Sequence, residues 1–204
     1  MFSSSLTVGV AVIGSSEKAG LYAARFATAG HEVYISPEKT DSKMRTDFSC
    51  DNLHSCSIED ASKAADIIII ATAPGNVREV SYWMGDVRGK VVIDASADFA
   101  EGDEQANTIG AIKAITGSSN VVRIFCTEGY EELLMPLLKN DKAHMVLLGE
   151  NPKARQAAKI IARDMDIYSF IDLGGFEALP LFDSLATCWR DLAKKNKANK
   201  RISA

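Results

Sequence analysis

A chain of 204 residues is long enough for one large α/β domain with a proper core, and too short for a dehydrogenase with a full separate substrate domain. A net charge of −4 excludes a general nucleic-acid binder, because neutralising phosphates needs a basic footprint. The composition, 47% hydrophobic and 25% charged, is that of an ordinary globular protein. The longest apolar run, Ile67–Ala73, falls far short of the roughly 20 residues that cross a bilayer. The opening Met1-Phe2-Ser3-Ser4-Ser5 has neither a basic segment nor a long apolar one, so it does not read as a signal peptide. Four cysteines without framework spacing fit a reducing cytoplasm, with Cys126 and Cys188 expected as core thiols. The basic run Lys194, Lys195, Lys197, Lys200 and Arg201 reads as a solvated helix end.

Along the chain, short β-branched runs predict strands over Val8–Ile13, Glu32–Ser36, Asp66–Ala71, Lys90–Asp94, Val121–Phe125, His144–Leu148 and Ile167–Ile171. Continuous apolar stretches such as Ile67-Ile68-Ile69-Ile70 suit strands buried on both faces, as in a parallel sheet. Helical patterns lie between them, over Ala19–Ala29, Ile58–Ala65, Val77–Met84, Tyr130–Leu138, Pro152–Met165 and Glu177–Lys195. Asn151-Pro152 supplies an N-cap followed by proline in the first turn. Alternation of this kind implies right-handed crossovers and a doubly wound, mostly parallel sheet of Rossmann type, closed by a small C-terminal helical extension. No repeat or linker divides the chain, so a single dinucleotide-binding domain is expected over residues 1–204, with its core at about 8–193.

The most informative segment runs from Val8 to Gly20. A buried strand ends at Gly14 and a helix opens near Lys18, a design that aims backbone N–H groups and a helix N-terminus at a diphosphate. Against the full G-x-G-x-x-G pattern, the loop reads Gly14-Ser15-Ser16-Glu17-Lys18-Ala19. Ala19 in the third place still permits close helix–strand packing. Ser16 either crowds the space where backbone should meet phosphate or donates its hydroxyl to a phosphate oxygen. Glu17 puts a negative charge beside the anion, and Lys18 offsets it if Glu17 turns outward.

The selector of the adenosine ribose lies about 20 residues after such a loop, at the end of the second strand. Here that stretch is Tyr34-Ile35-Ser36-Pro37-Glu38-Lys39-Thr40, with no acid on the strand end itself. Ser36, Lys39 and Thr40 suit a 2′-phosphate and Glu38 opposes it, so the reading leans to NADP over NAD.

Ala29-Gly30-His31-Glu32-Val33 follows the first helix, and Ala71-Thr72-Ala73-Pro74 ends the strand Ile67–Ile70. Gly89-Lys90-Val91-Val92-Ile93-Asp94-Ala95 comes next, and Trp189-Arg190-Asp191-Leu192-Ala193 closes the last helix. This order resembles the deazaflavin (factor 420)-dependent NADP oxidoreductase family, over nearly the whole chain from about Val8 to Ala193. The resemblance implies an eight-stranded Rossmann domain, usually a homodimer. It places the adenosine end at Ser36–Thr40, the pyrophosphate at Ser15–Ala19 and the nicotinamide ribose at Ala71, Thr72, Ala73 and Pro74, with Ser96 a further cofactor contact. It also implies hydride transfer from nicotinamide to a deazaflavin, flavin or other small acceptor, which needs positioning and water exclusion and no catalytic side chain. Two departures stand out. The family's Asn-Pro after the fifth strand is replaced by Ala97-Asp98, and its basic pair after the second strand by Pro37-Glu38. The alternative function is a non-enzymatic nucleotide-binding or sensor protein with a degenerate site.

Elsewhere, Cys50, His54 and Cys56 lack a fourth ligand for zinc and read as a surface loop and short strand, so no metal is expected. His31 and His144 read as structural. The loop Asp172–Glu177 reads as a tight turn at its paired glycines with Glu177 as a helix cap, and the alternative is that this loop, with Phe125 after strand six, walls the nicotinamide pocket. Leu181, Leu185, Trp189 and Leu192 form a helical stripe that reads as core or dimer surface.

Overall fold

The computed structural model describes residues 7–38, 50–99, 107–126 and 144–202. Among these, eight strands form one sheet: β1 (Gly9–Ile13), β2 (Glu32–Ser36), β3 (Leu53–Ser55), β4 (Ile67–Ile70), β5 (Val91–Asp94), β6 (Val121–Cys126), β7 (His144–Leu148) and β8 (Ser169–Asp172). Their order across the sheet is β3-β2-β1-β4-β5-β6-β7-β8. Chain direction is parallel from β3 to β6, reverses between β6 and β7, and is parallel again between β7 and β8. The doubly wound, mostly parallel sheet read from the sequence is the fold observed. The predicted helix Tyr130–Leu138 lies outside the described residues.

Six helices cover the sheet among the described residues: α1 (Glu17–Thr28), α2 (Ile58–Ala64), α3 (Val77–Met84), α4 (Thr108–Thr116), α5 (Pro152–Ala162) and α6 (Leu179–Ile202). Successive residues of a strand point to opposite faces, so each buried strand feeds two cores. Val10, Val12, Ile67 and Ile69 face the layer of α1 and α5, where Tyr22, Phe26 and Ile161 are buried. Ala11, Ile13, Ile68 and Ile70 face the other layer, against Val80 of α3, Ile112 of α4 and Phe182 of α6. Burial on both faces is why β4 is an unbroken run of four isoleucines.

Helix α4 has no counterpart in the sequence reading. Its segment, Thr-Ile-Gly-Ala-Ile-Lys-Ala-Ile-Thr, carries β-branched residues and a glycine, all weak helix formers. Tertiary burial of Ile109 and Ile112, an Asn107 N-cap and left-handed Gly117 at the C-terminus make the helix. Cys188 is exposed, not a core thiol, because the buried side of α6 is set by Phe182 and Ala186; Cys126 is buried as expected. Of the expected stripe on α6, Leu181 is exposed, Leu185 and Trp189 pack partly buried on the core, and the side chain of Leu192 lies outside the described residues.

At the strands' N-terminal edge, Lys90 ties β5 to α2. Its Nζ donates to the carbonyl oxygens of Ser62, Lys63 and Ala65, each at 2.7 Å, satisfying acceptors that a helix end leaves open. Lys90→Met is expected to lower unfolding stability by about 1–3 kcal/mol, the size of lost hydrogen bonds to a charged group, with Lys90→Arg closer to wild type. Urea denaturation measures both.

Candidate functional site

Because β1 to β6 run parallel, their C-terminal ends gather at one edge, and the order of connection changes direction between β1 and β4. Ligands of open α/β sheets bind in the crevice outside this switch point. The turn from β1 into α1 lies here. The Gly14 amide donates to the Ser36 carbonyl at 2.8 Å on one side. On the other, a Cβ added to Gly14 would sit 2.2 Å from the Ala71 oxygen, so only glycine fits between the ends of β2 and β4. The Ala71 amide in turn donates to the Ile13 carbonyl at 2.8 Å.

Ser16 is the N-cap of α1: its Oγ accepts from the Ala19 amide at 3.1 Å. Of the two roles weighed for Ser16, this is a third, and it leaves the hydroxyl proton free to donate. Glu17 is exposed and turned outward. The first-turn amides of any α-helix lack an intrahelical acceptor, and α1 directs the positive end of its dipole at the crevice. Ala19 is fully buried against the strands.

Two carboxylates that the sequence reading set at the adenosine stretch and after the fifth strand reach this loop. Glu38, just past β2, accepts from the Ser15 hydroxyl at 2.8 Å through Oε1. Its Oε2 is buried with no hydrogen-bond partner. Asp98, in the turn after β5, has a side chain 0% exposed, and Lys18, its side chain 30% exposed, brings Nζ to 3.5 Å from Oδ2. The Tyr22 hydroxyl donates to Asp98 Oδ2 at 3.0 Å and the Cys126 amide to Oδ1 at 2.8 Å. Burial pushes the Asp98 carboxyl above the ordinary carboxylate range, opposed by Lys18 and by the amide and phenol hydrogen bonds. Asp98 thus ties the end of β6 and the turn after β5 to α1, at the place where the resemblance leads to an expectation of proline.

The remaining predicted residues line the same edge. Ala71, Thr72 and Pro74 are buried and Ala73 is partly so, with Thr72 Oγ1 accepting from Asn76 Nδ2 at 3.0 Å. Ser96 is buried; its amide donates to Asp94 Oδ1 at 3.0 Å while its Oγ has no partner. Ser36 is buried and serves through its carbonyl. Lys39 and Thr40 lie outside the described residues. Arg190 of α6, which sequence reasoning did not single out for the site, donates to the Ala97 carbonyl at 3.1 Å and braces the turn bearing Asp98.

Other candidates fall away from this edge. Because β7 reverses direction, β8 ends at the opposite edge, and the loop Asp172–Glu177 does not wall the crevice. Phe125 stays at the crevice end of β6, but its ring is buried against Trp189, with centroids 6.2 Å apart. His31 is buried between the Val8 amide and Asp164, a structural place. His54 sits on the short strand β3 facing Glu32, and among the described residues no cluster of metal-ligating side chains is present.

Comparison with known proteins agrees with this geometry. Residues 9–98 match the family model described as NADP oxidoreductase, coenzyme F420-dependent. The family resemblance therefore holds over this opening unit. No curated protein matches the sequence. Among solved structures, the chain is similar to a protein from Arthrobacter sp. fb24 proposed to be an F420-dependent NADP-reductase, at 15% identity and TM-score 0.72, covering 93% of this chain and 95% of the other. An imine reductase from Myxococcus stipitatus in complex with NAD+ shares the fold at 10% identity and TM-score 0.64; 98% of this chain covers 63% of that one. A reductive aminase from Aspergillus terreus in complex with NADPH4 gives 14% identity and TM-score 0.61, with 97% and 62% covered. The opening unit is thus similar to NADP oxidoreductases, and the whole chain shares the fold of such enzymes.

The residues present fit such a dinucleotide. Gly14 leaves the backbone bare where a diphosphate approaches, and the buried Oε2 of Glu38 lacks a donor that a ribose hydroxyl provides. Asp98 is expected to act as a structural tie. Asp98→Ala removes the acceptor that the Tyr22 hydroxyl and the Cys126 amide share and should cost about 1–3 kcal/mol, whereas Asp98→Asn keeps an acceptor and should cost about 1 kcal/mol. With its carboxyl raised, the folded state holds a proton that the unfolded chain has already released. Wild type should therefore gain stability over Asp98→Asn as pH falls through that range and lose the gain as pH rises. Denaturation curves at several pH values check this; parallel curves for the two proteins would contradict it.

Proposed function

We propose that this domain binds a nicotinamide dinucleotide across the β1/β4 crevice and transfers hydride between it and a small acceptor of the deazaflavin or flavin kind. The single observation that carries the reading is the seat of Gly14, wedged against Ala71 beside the open N-terminus of α1. When bound, the nicotinamide supplies or accepts the hydride. The chain's own residues do the rest. The amides from Ser15 to Lys18 hold the diphosphate, and the half-positive end of α1 offsets its charge. Ser16 fixes the first turn of the helix so that those amides need no reorganisation. Ala71 to Pro74 would hold the nicotinamide ribose, with the buried hydroxyl of Ser96 as a further contact. No side-chain acid or base is assigned to the transfer, because direct hydride transfer would need only positioning and the exclusion of water from this chain's residues.

A second reading, binding without turnover, is supported by the buried Asp98 held by Lys18 and Tyr22. The resemblance puts that turn near the reacting rings, so an ion pair occupies ground the family leaves to proline.

Nicotinamide fluorescence of NADH and NADPH, titrated with the whole chain, tests the proposal. Saturation is expected below about 1 mM, where binding is worth roughly 4 kcal/mol. Gly14→Ala, confirmed folded by circular dichroism, should weaken it at least tenfold, the effect of about 1.4 kcal/mol. Loss of nicotinamide absorbance on adding a deazaflavin or flavin supports turnover; binding with stable absorbance across flavins, deazaflavins and quinones supports the second reading. An unchanged signal with folded protein overturns both.

A further inference from the structure

The adenosine corner carries a charge opposite to the one that a 2′-phosphate needs. β2 ends at Ser36, whose carbonyl is held by the Gly14 amide at 2.8 Å. Pro37 then turns the chain, and Glu38 swings its carboxylate back over the loop to the Ser15 hydroxyl at 2.8 Å. That contact uses only Oε1. Oε2 is buried and accepts no hydrogen bond among the described residues. A buried carboxylate oxygen without a donor is unfavourable and is rarely left so. The missing partner is a neutral hydroxyl donor of the size and place of a ribose diol, because the same carboxylate is already fastened to the phosphate loop. Rossmann domains that take the unphosphorylated cofactor use an acidic group in this region for the ribose 2′-OH. A 2′-phosphate at the same point would bring a second anion against Glu38 in a partly water-excluded corner, where repulsion is weakly screened.

We propose that Glu38 is the specificity-determining residue of the cofactor site, accepting a ribose hydroxyl through Oε2, and that it sets this domain to prefer NAD(H) over NADP(H). The inference rests on the dinucleotide-binding reading above and deepens it. It reverses the lean to NADP taken from Ser36, Lys39 and Thr40, and sets this chain apart from the cofactor in its family's description. Ser15 is a positioning residue in this scheme: it holds one carboxylate oxygen so that the other faces the ribose.

The test is a pair of titrations of the whole chain, with NADH and with NADPH, on wild type, Glu38→Gln and Ser15→Ala, each checked for an unchanged melting profile. Wild type should bind NADH roughly 10- to 100-fold more tightly than NADPH, the size of one hydrogen bond to a charged group. Glu38→Gln should narrow that ratio from both sides, weakening NADH and strengthening NADPH. Ser15→Ala should weaken NADH while leaving NADPH the poorer ligand. Adenosine diphosphate and its 2′-phosphorylated form, used as competitors, should show the same ratio, which locates the effect at the adenosine end. NADPH binding as tightly as NADH or tighter in wild type, or a ratio that Glu38→Gln leaves unchanged, overturns the inference while the dinucleotide reading stands. Binding of neither cofactor to folded protein overturns both.

Discussion

A single close approach of backbone to backbone sets the rest of the site. Gly14 lies between the ends of β2 and β4, bonded to the Ser36 carbonyl and so near the Ala71 oxygen that no side chain fits. That contact draws the strand ends together at the topological switch point and delivers α1 with its first-turn amides facing the crevice. Ser16 can then serve as an N-cap where related patterns carry a second glycine, because the turn is already fixed by its neighbours on both sides. The loss of two glycines from the pattern alters the lining of the mouth. It does not remove the mouth.

Electrostatics distinguishes this chain from a generic phosphate loop. Three acids lie near the turn, and each meets its charge differently. Glu17 faces water, where its repulsion of an anion is screened. Glu38 leans on Ser15 at the adenosine end with one oxygen still unsatisfied. Asp98 is buried between Lys18, Tyr22 and the Cys126 amide. Lys18, which the sequence offers as a counterweight to Glu17, is paired with Asp98 instead. The positive charge of the loop is therefore partly neutralised within the protein, and in the proposed complex more of the work of holding the diphosphate falls to the backbone amides.

The fold was legible because burial on both faces leaves a plain mark, as in the four isoleucines of β4. Gly14 was legible too, since a glycine that closes a buried strand just ahead of a helix marks a turn too tight for a side chain. Helix α4 was not legible, since its β-branched residues and Gly110 have weak helical propensity and only tertiary packing overrides it. Cys188 misled for a related reason: an apolar stretch does not reveal which side of α6 turns to the core. The site was half visible. Glu38 and Asp98 were seen as departures from a family pattern, but their partners, Ser15 across 23 residues and Tyr22 across 76, are contacts of tertiary structure that no local spacing encodes. Arg190 escaped notice because its place at the crevice edge depends on the reversal of β7, which carries α6 back across the sheet.

The central claim is that the amides opening α1 hold a diphosphate. Amide hydrogen exchange, followed by mass spectrometry on peptides spanning Ser15–Ala19 with and without saturating NADH, addresses it most directly. The account predicts slower exchange confined to this turn and to the facing segments at Glu38 and Ala71–Pro74. Uniform exchange, or protection that appears elsewhere while the turn stays unchanged, would contradict it.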